Sequence, residues 1–144
     1  MEVVVKSQYD AEAYSVEEHS EVSVIISIAS ENMPNANISV HEANGIKDVL
    51  FMNFNDTDSK DLTSGCINDE DAENIKEFIE KYIENDSIDL IIVHCEAGVS
   101  RSAGVAAAIM KYLWNDDSAI FDNSKYHPNM LCYRTVLNTL MYDY

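Results

Sequence analysis

The sequence predicts an α/β sandwich around a mainly parallel sheet, and three observations carry that expectation. Strand-like and helix-like segments alternate along the chain without an internal repeat, as they do when crossover helices join parallel strands. Residues 22–29 form a continuous apolar run and residues 90–93 another, the pattern of strands covered on both faces. Ala72, Ile75, Phe78, Ile79, Tyr82 and Ile83 recur at helical spacing, so residues 71–85 carry one apolar stripe opposite a charged face.

In order, residues 3–7 read as a first strand from their β-branched run, and residues 9–18 as a short, weakly helical segment. The apolar strand 22–29 ends in loop chemistry at 30–34. Residues 35–47 are polar and mixed, with Asn44-Gly45 marking a tight turn, before a strand resumes over 48–54. Residues 55–71 form a long acidic loop, and structureless loops of that length in a compact domain are uncommon and often functional. After the amphipathic helix comes the central strand 89–94, then a helix from about 102 to 114. Its small residues Ala106, Ala107 and Ala108 permit close approach to the sheet. An acidic turn with Asp116 and Asp117, a short segment through Phe121 and a polar loop over 122–127 follow. Pro128 and Asn129 open the last helix, whose apolar face is Leu131, Tyr133, Val136, Leu137, Leu140 and Met141.

One domain over residues 1–144 accounts for the chain, and 47% apolar residues suffice for a core. Twenty-six acidic against 9 basic side chains leave a formal charge of −17, spread along the chain, which argues against nucleic-acid and anionic-membrane partners. Cys66, Cys95 and Cys132 have neither paired nor metal-ligand spacing, so a reducing, cytoplasmic location is expected, with no metal and no cofactor. The histidines His19, His41 and His127 likewise lack ligand spacing. No signal peptide or membrane span is expected. The sequence sets no oligomeric state.

The chemistry concentrates where the strand ending at His94 runs into Cys95 and a helix leaves after Arg101. Glu96, Ala97, Gly98, Val99 and Ser100 are mostly small, which lets the backbone curl and turn successive N–H groups onto one spot. Such a nest at a helix N-terminus binds an oxyanion. A thiol on its floor feels the helix dipole and Arg101, placing its expected pKa at roughly 3.5–7.5. Arg101 offers a planar fork for two phosphate oxygens, and a thiolate there suits covalent phosphoryl transfer. The bland alternative is a buried core cysteine, which would not need Gly98, Arg101 and Ser102 at loop-forming spacing.

The string His94-Cys95-Glu96-Ala97-Gly98-Val99-Ser100-Arg101-Ser102 resembles the His-Cys-x-x-Gly-x-x-Arg-Ser/Thr signature of the cysteine-dependent protein tyrosine phosphatases, especially the small dual-specificity branch. The resemblance implies a three-layer sandwich with a short, mainly parallel central sheet. Rhodanese-like sulfur carriers and arsenate reductases share the Cys-five-residues-Arg idea and are the lesser alternatives. By the same resemblance Cys95 is the nucleophile, residues 96–100 and Arg101 hold the phosphate, and Ser102 stabilises the departing thiolate, although it is also placed to cap the helix. His94 would orient the loop. The general acid would be an Asp just after the preceding strand, and Asn55-Asp56-Thr57 looks like one variant found there, which selects Asp56 over Asp58 and Asp61.

Phosphoinositide-specific relatives tend to carry lysines in the loop, where this chain has Glu96 and Val99, and no basic patch is present to hold RNA. A phosphoprotein or phosphopeptide substrate remains, with phosphotyrosine first and phosphoserine or phosphothreonine admitted by a short chain. The competing function is a phosphate-binding interaction module of the same fold with weak turnover.

Overall fold

A computed structural model describes residues 1–61, 63–84 and 88–142. Its strands are β1 (Glu2–Ser7), β2 (Ser23–Ala29), β3 (Ile46–Asn53) and β4 (Leu90–Cys95), and its helices are α1 (Gln8–Ser15), α2 (Asp69–Ile83), α3 (Arg101–Trp114), α4 (Ser118–Phe121) and α5 (Met130–Met141). The strands form one parallel sheet in the order β1-β4-β2-β3. Every residue of the two inner strands is buried, while β1 and β3 at the edges are partly exposed.

Alternation along the strands divides the core between the two faces. Val24, Ile26, Ile28, Ile91 and Val93 face α2, α3 and α5. Ile25 and Ile92, paired in register, face the other way and pack with Ala11 of α1 and with Ala36, Ile38 and Ile46. Three layers result, as the sequence predicts, but the second cover is only partly helical. Ala36 and Ile38 supply it from a segment that reads as polar, because two isolated apolar residues carry no period.

Boundaries shift where caps decide them. Gly45 ends a 3-10 turn at Glu42–Asn44 with φ +73°, and a Cβ there would lie 2.1 Å from the Glu21 carbonyl oxygen. That turn lets β3 begin at Ile46, two residues before the predicted start, with Ile46 fully buried. Helix α1 stops at Ser15 rather than 18. Helix α2 starts at Asp69 rather than 71, because Asn68 caps it and Asp71 returns the bond in a capping box. Its predicted end at Asn85 lies outside the described residues.

The acidic stretch after β3 is folded back on itself rather than structureless. The Asn55 N–H donates to the Gly65 carbonyl at 2.7 Å, Asn55 Nδ2 to the Ser64 carbonyl at 3.1 Å, and Ser64 Oγ to the Asp61 carbonyl at 2.6 Å. Ile67 then enters the core. All four strands point their carboxyl ends to one edge, where ligands bind in open α/β sheets. Among the described residues no helix is long and apolar enough to cross a membrane.

Candidate active site

Cys95 is the last residue of β4 and is 2% exposed. The loop behind it is wedged against the end of β1. Gly98 adopts φ +71°, and a Cβ there would meet Ser7 N at 2.6 Å and the Lys6 carbonyl carbon at 2.7 Å. Neighbouring segments hold the loop by its carbonyls: Glu96 O accepts from Gln8 N, Val99 O from His127 N and Ser100 O from Asn129 N, each at 3.0–3.1 Å. With the carbonyls tied outward, the Gly98 and Ser102 N–H groups serve the sulfur. Glu96 and Ala97 are exposed, Gly98 is buried, and Val99 and Ser100 are half-buried.

Cys95 Sγ lies 3.0 Å from Ser102 Oγ. Burial is the largest influence on the thiol and pushes its pKa up. The Ser102 hydroxyl, the Ser102 and Gly98 N–H groups and the Arg101 guanidinium together outweigh it, holding the thiol below its ordinary value. Hydrogen bonds thus contribute more than Arg101, the reverse of the emphasis that the sequence invites. Ser102 does not cap α3: Ser100 holds the N-cap position and makes no capping bond with its side chain.

Arg101 is 5% exposed and is held from behind. One terminal nitrogen donates to Ser30 Oγ at 3.1 Å and to the Phe54 carbonyl at 2.9 Å, whereas the buried Nε has no hydrogen-bond partner. His94 lies beneath the loop, with Nε2 2.6 Å from Ser27 Oγ and Nδ1 3.2 Å from the Cys95 carbonyl. Burial, its largest influence, holds the imidazole pKa below the usual histidine value. Through these two contacts His94 bridges β2 and the loop.

Asp56 stands on the opposite wall. Its Oδ1 accepts from Ser100 Oγ at 2.7 Å and from Asn129 Nδ2 at 2.9 Å, and the same Asn129 nitrogen reaches the Thr57 carbonyl at 3.1 Å. Asp56, Asp58, Ser100, His127 and Asn129 line an open cleft of ≈ 460 Å³. Asp58 lies in that cleft without a comparable hold, and Asp61 faces Thr63, whose N–H and hydroxyl keep its carboxyl below the usual range. Sequence reasoning places Cys95, Arg101, Ser102, Asp56 and residues 96–100 together, and so does the fold. It missed three supports. Asn129 signals only a helix start, yet its Oδ1 caps α5 while its Nδ2 grips the Asp56 loop. Ser30 and Ser27 sit at a strand end and inside an apolar run, and neither carries a motif.

The sheet order, the strand-turn-helix around Cys95 and the aspartate wall define a small dual-specificity-phosphatase-like cysteine phosphatase fold. No protein-family model matches the chain, and no curated protein sequence does. Solved structures do match. Human DUSP28 aligns at 16% identity with TM-score 0.58, over 93% of this chain and 87% of that one. PTPMT1 in complex with PI(5)P aligns at 17% identity with TM-score 0.60, over 96% and 90%. OH1 from the Orf virus, described as a tyrosine phosphatase with triple substrate specificity, aligns at 14% identity with TM-score 0.59, over 97% and 83%. At these identities the likeness is one of fold.

Proposed function

We propose that this chain is a phosphoprotein phosphatase that hydrolyses phosphotyrosine, and also phosphoserine and phosphothreonine, through a phosphocysteine intermediate. The observation that carries this reading is the buried, unpartnered Nε of Arg101 beside a thiol of lowered pKa. A buried donor without a partner is costly, and a phosphoryl oxygen satisfies it. Cys95 Sγ attacks phosphorus as the ester P–O bond breaks, while Arg101 and the loop N–H groups hold the equatorial oxygens. Asp56 gives its proton to the leaving oxygen. Water then attacks the phosphocysteine, Asp56 takes the proton back, and the S–P bond breaks to release inorganic phosphate. The Ser102 hydroxyl receives the returning thiolate charge. A reducing, intracellular setting keeps this thiol available.

Turnover of an aryl phosphate is the direct test. The intact protein is expected to release phosphate, Cys95→Ser to release none while still binding phosphate analogues, and Arg101→Lys to be severely impaired because an ammonium lacks the two-point grip. No turnover by the intact protein, with phosphate binding retained, would leave the phosphate-binding module as the correct reading.

A further inference from the structure

We infer that Asn53 and Asn55 are positioning residues for the phosphate-binding arginine: together they grip the peptide that presents Ser30 to Arg101. This deepens the phosphatase reading above and rests on it. Arg101 draws its rear support from Ser30 Oγ and the Phe54 carbonyl, which lie just past the ends of β2 and β3. Where the ladder between those strands runs out, Phe54 N donates to the Ala29 carbonyl at 3.0 Å. Beyond it the chain turns through exposed residues 31–35, with Asn32 in the left-handed region at φ +63°. An exposed turn is a soft mount for a group that must hold a buried guanidinium.

Asparagine side chains take over from the ladder. Asn53 Nδ2 donates to the Ser30 carbonyl at 3.2 Å and to the Met33 carbonyl at 3.1 Å, while Asn55 Oδ1 accepts from the Glu31 N–H at 2.9 Å. The partners fix both amide orientations, since a carbonyl can meet only the nitrogen and an N–H only the oxygen. The Ser30 carbonyl and the Glu31 N–H are opposite edges of one planar peptide unit, so the two amides hold it from both sides and stop it rotating. That fixes the Cα from which the Ser30 hydroxyl reaches Arg101. Phe54, between the two asparagines, is 1% exposed, so the second acceptor of Arg101 is seated by the core. Asn55 is closed over in turn: its Nδ2 donates to the Ser64 carbonyl at 3.1 Å, and a Cβ on Gly65 would lie 2.6 Å from that nitrogen. The guanidinium is a rigid plane, so where one terminal nitrogen is pinned decides where the unpartnered Nε points.

Tungstate, a tetrahedral oxyanion, tests this by calorimetry without turnover. Asn53→Ala and Asn55→Ala should each weaken its binding roughly three- to tenfold, the order of one lost hydrogen bond. Ser30→Ala should do the same. Because the asparagines act through Ser30, either one combined with Ser30→Ala should stay within about twofold of the larger single loss. Should an alanine variant fail to fold, aspartate answers instead. Asn55→Asp keeps the oxygen that accepts from the Glu31 N–H, whereas Asn53→Asp has no donor for the Ser30 carbonyl. Asn53→Asp should therefore bind tungstate the more weakly, although both variants add one negative charge. Native affinity in both alanine variants, losses that multiply in full with Ser30→Ala, or an Asn53→Asp protein that binds no more weakly than Asn55→Asp would overturn the inference. A lowered melting temperature with native affinity would do so too, by reducing the pair to a role in fold stability, and so would native protein that binds no tungstate. Native protein that binds tungstate, with these losses in the variants, but turns over no phosphate ester would discard the phosphatase reading alone.

Discussion

Ser100 Oγ and Asp56 Oδ1 are joined by a 2.7 Å hydrogen bond that ties the phosphate loop to the wall opposite it. Asn129 Nδ2 donates to the same oxygen. With Oδ1 accepting twice, Oδ2 is the oxygen left, in the reaction proposed above, to carry the proton toward a leaving group. The carboxyl is thereby aimed before a substrate arrives, which is how positioning lowers a barrier.

Asn129→Ser separates that aim from helix capping. Serine still offers an acceptor to the Cys132 N–H but lacks the Nδ2 donor. Thermal stability is expected to stay near that of the native protein, whereas Asn129→Ala should lose about 1 kcal/mol. Both variants should slow alkyl phosphates more than nitrophenyl phosphate. An equal loss on both esters would reduce Asn129 to a capping residue.

Asp56→Asn should slow poor leaving groups by ~10²–10⁴-fold and a nitrophenyl ester much less, because a good leaving group departs without a proton. Asp58→Asn and Asp61→Asn are the controls. If either of them shows the leaving-group-dependent loss and Asp56→Asn does not, the acid has been misplaced.

Ser102→Ala should raise the Cys95 pKa, since it removes the hydroxyl that stabilises the charged form. The pH midpoint for alkylation by iodoacetamide should lie below that of an ordinary thiol in the native protein and move upward in the variant. Stability follows the same sign. A depressed folded pKa stabilises the fold fully above the unfolded value, and that gain fades as pH falls through the folded value. Cys132, pushed up to about 12 mainly by burial, stays a thiol throughout. Mild peroxide should therefore modify Cys95 before Cys132, as mass spectrometry would register.

Gly98→Ala should depress activity and stability together. The residue would occupy φ +71°, at about 1–3 kcal/mol, with its Cβ 2.6 Å from Ser7 N. Native melting temperature and native aryl phosphate turnover in this variant would show that the loop tolerates a side chain against β1.

What the sequence reveals depends on how locally each feature is encoded. Cys95, Gly98, Arg101 and Ser102 are legible because one strand-turn-helix carries all of them at set spacing. The four strands are legible because β-branched and apolar runs announce themselves. Asp56 is reachable only through resemblance, since nothing local distinguishes it from Asp58 or Asp61. Its distinction lies in Ser100 and Asn129, which are 44 and 73 residues away. Ser30 holds Arg101 across 71 residues, and only folding brings them together. Ala36 and Ile38 escape for a different reason: their burial is decided by a gap beside α1 that no periodicity describes.

The seat of Gly98 against Lys6 and Ser7 also bears on how the protein is made. Strand β1 pairs with β4, so residues 2–7 wait for residues 90–95 before they find their neighbour. The loop gains its back wall only at that moment, and Arg101 and Asp56 gain their anchors from segments 44 to 73 residues away. Non-local closure of this kind is slow and comes late in folding. Recovery of turnover after dilution from denaturant would thus mark completion of the whole sheet, and should trail the return of helical circular dichroism.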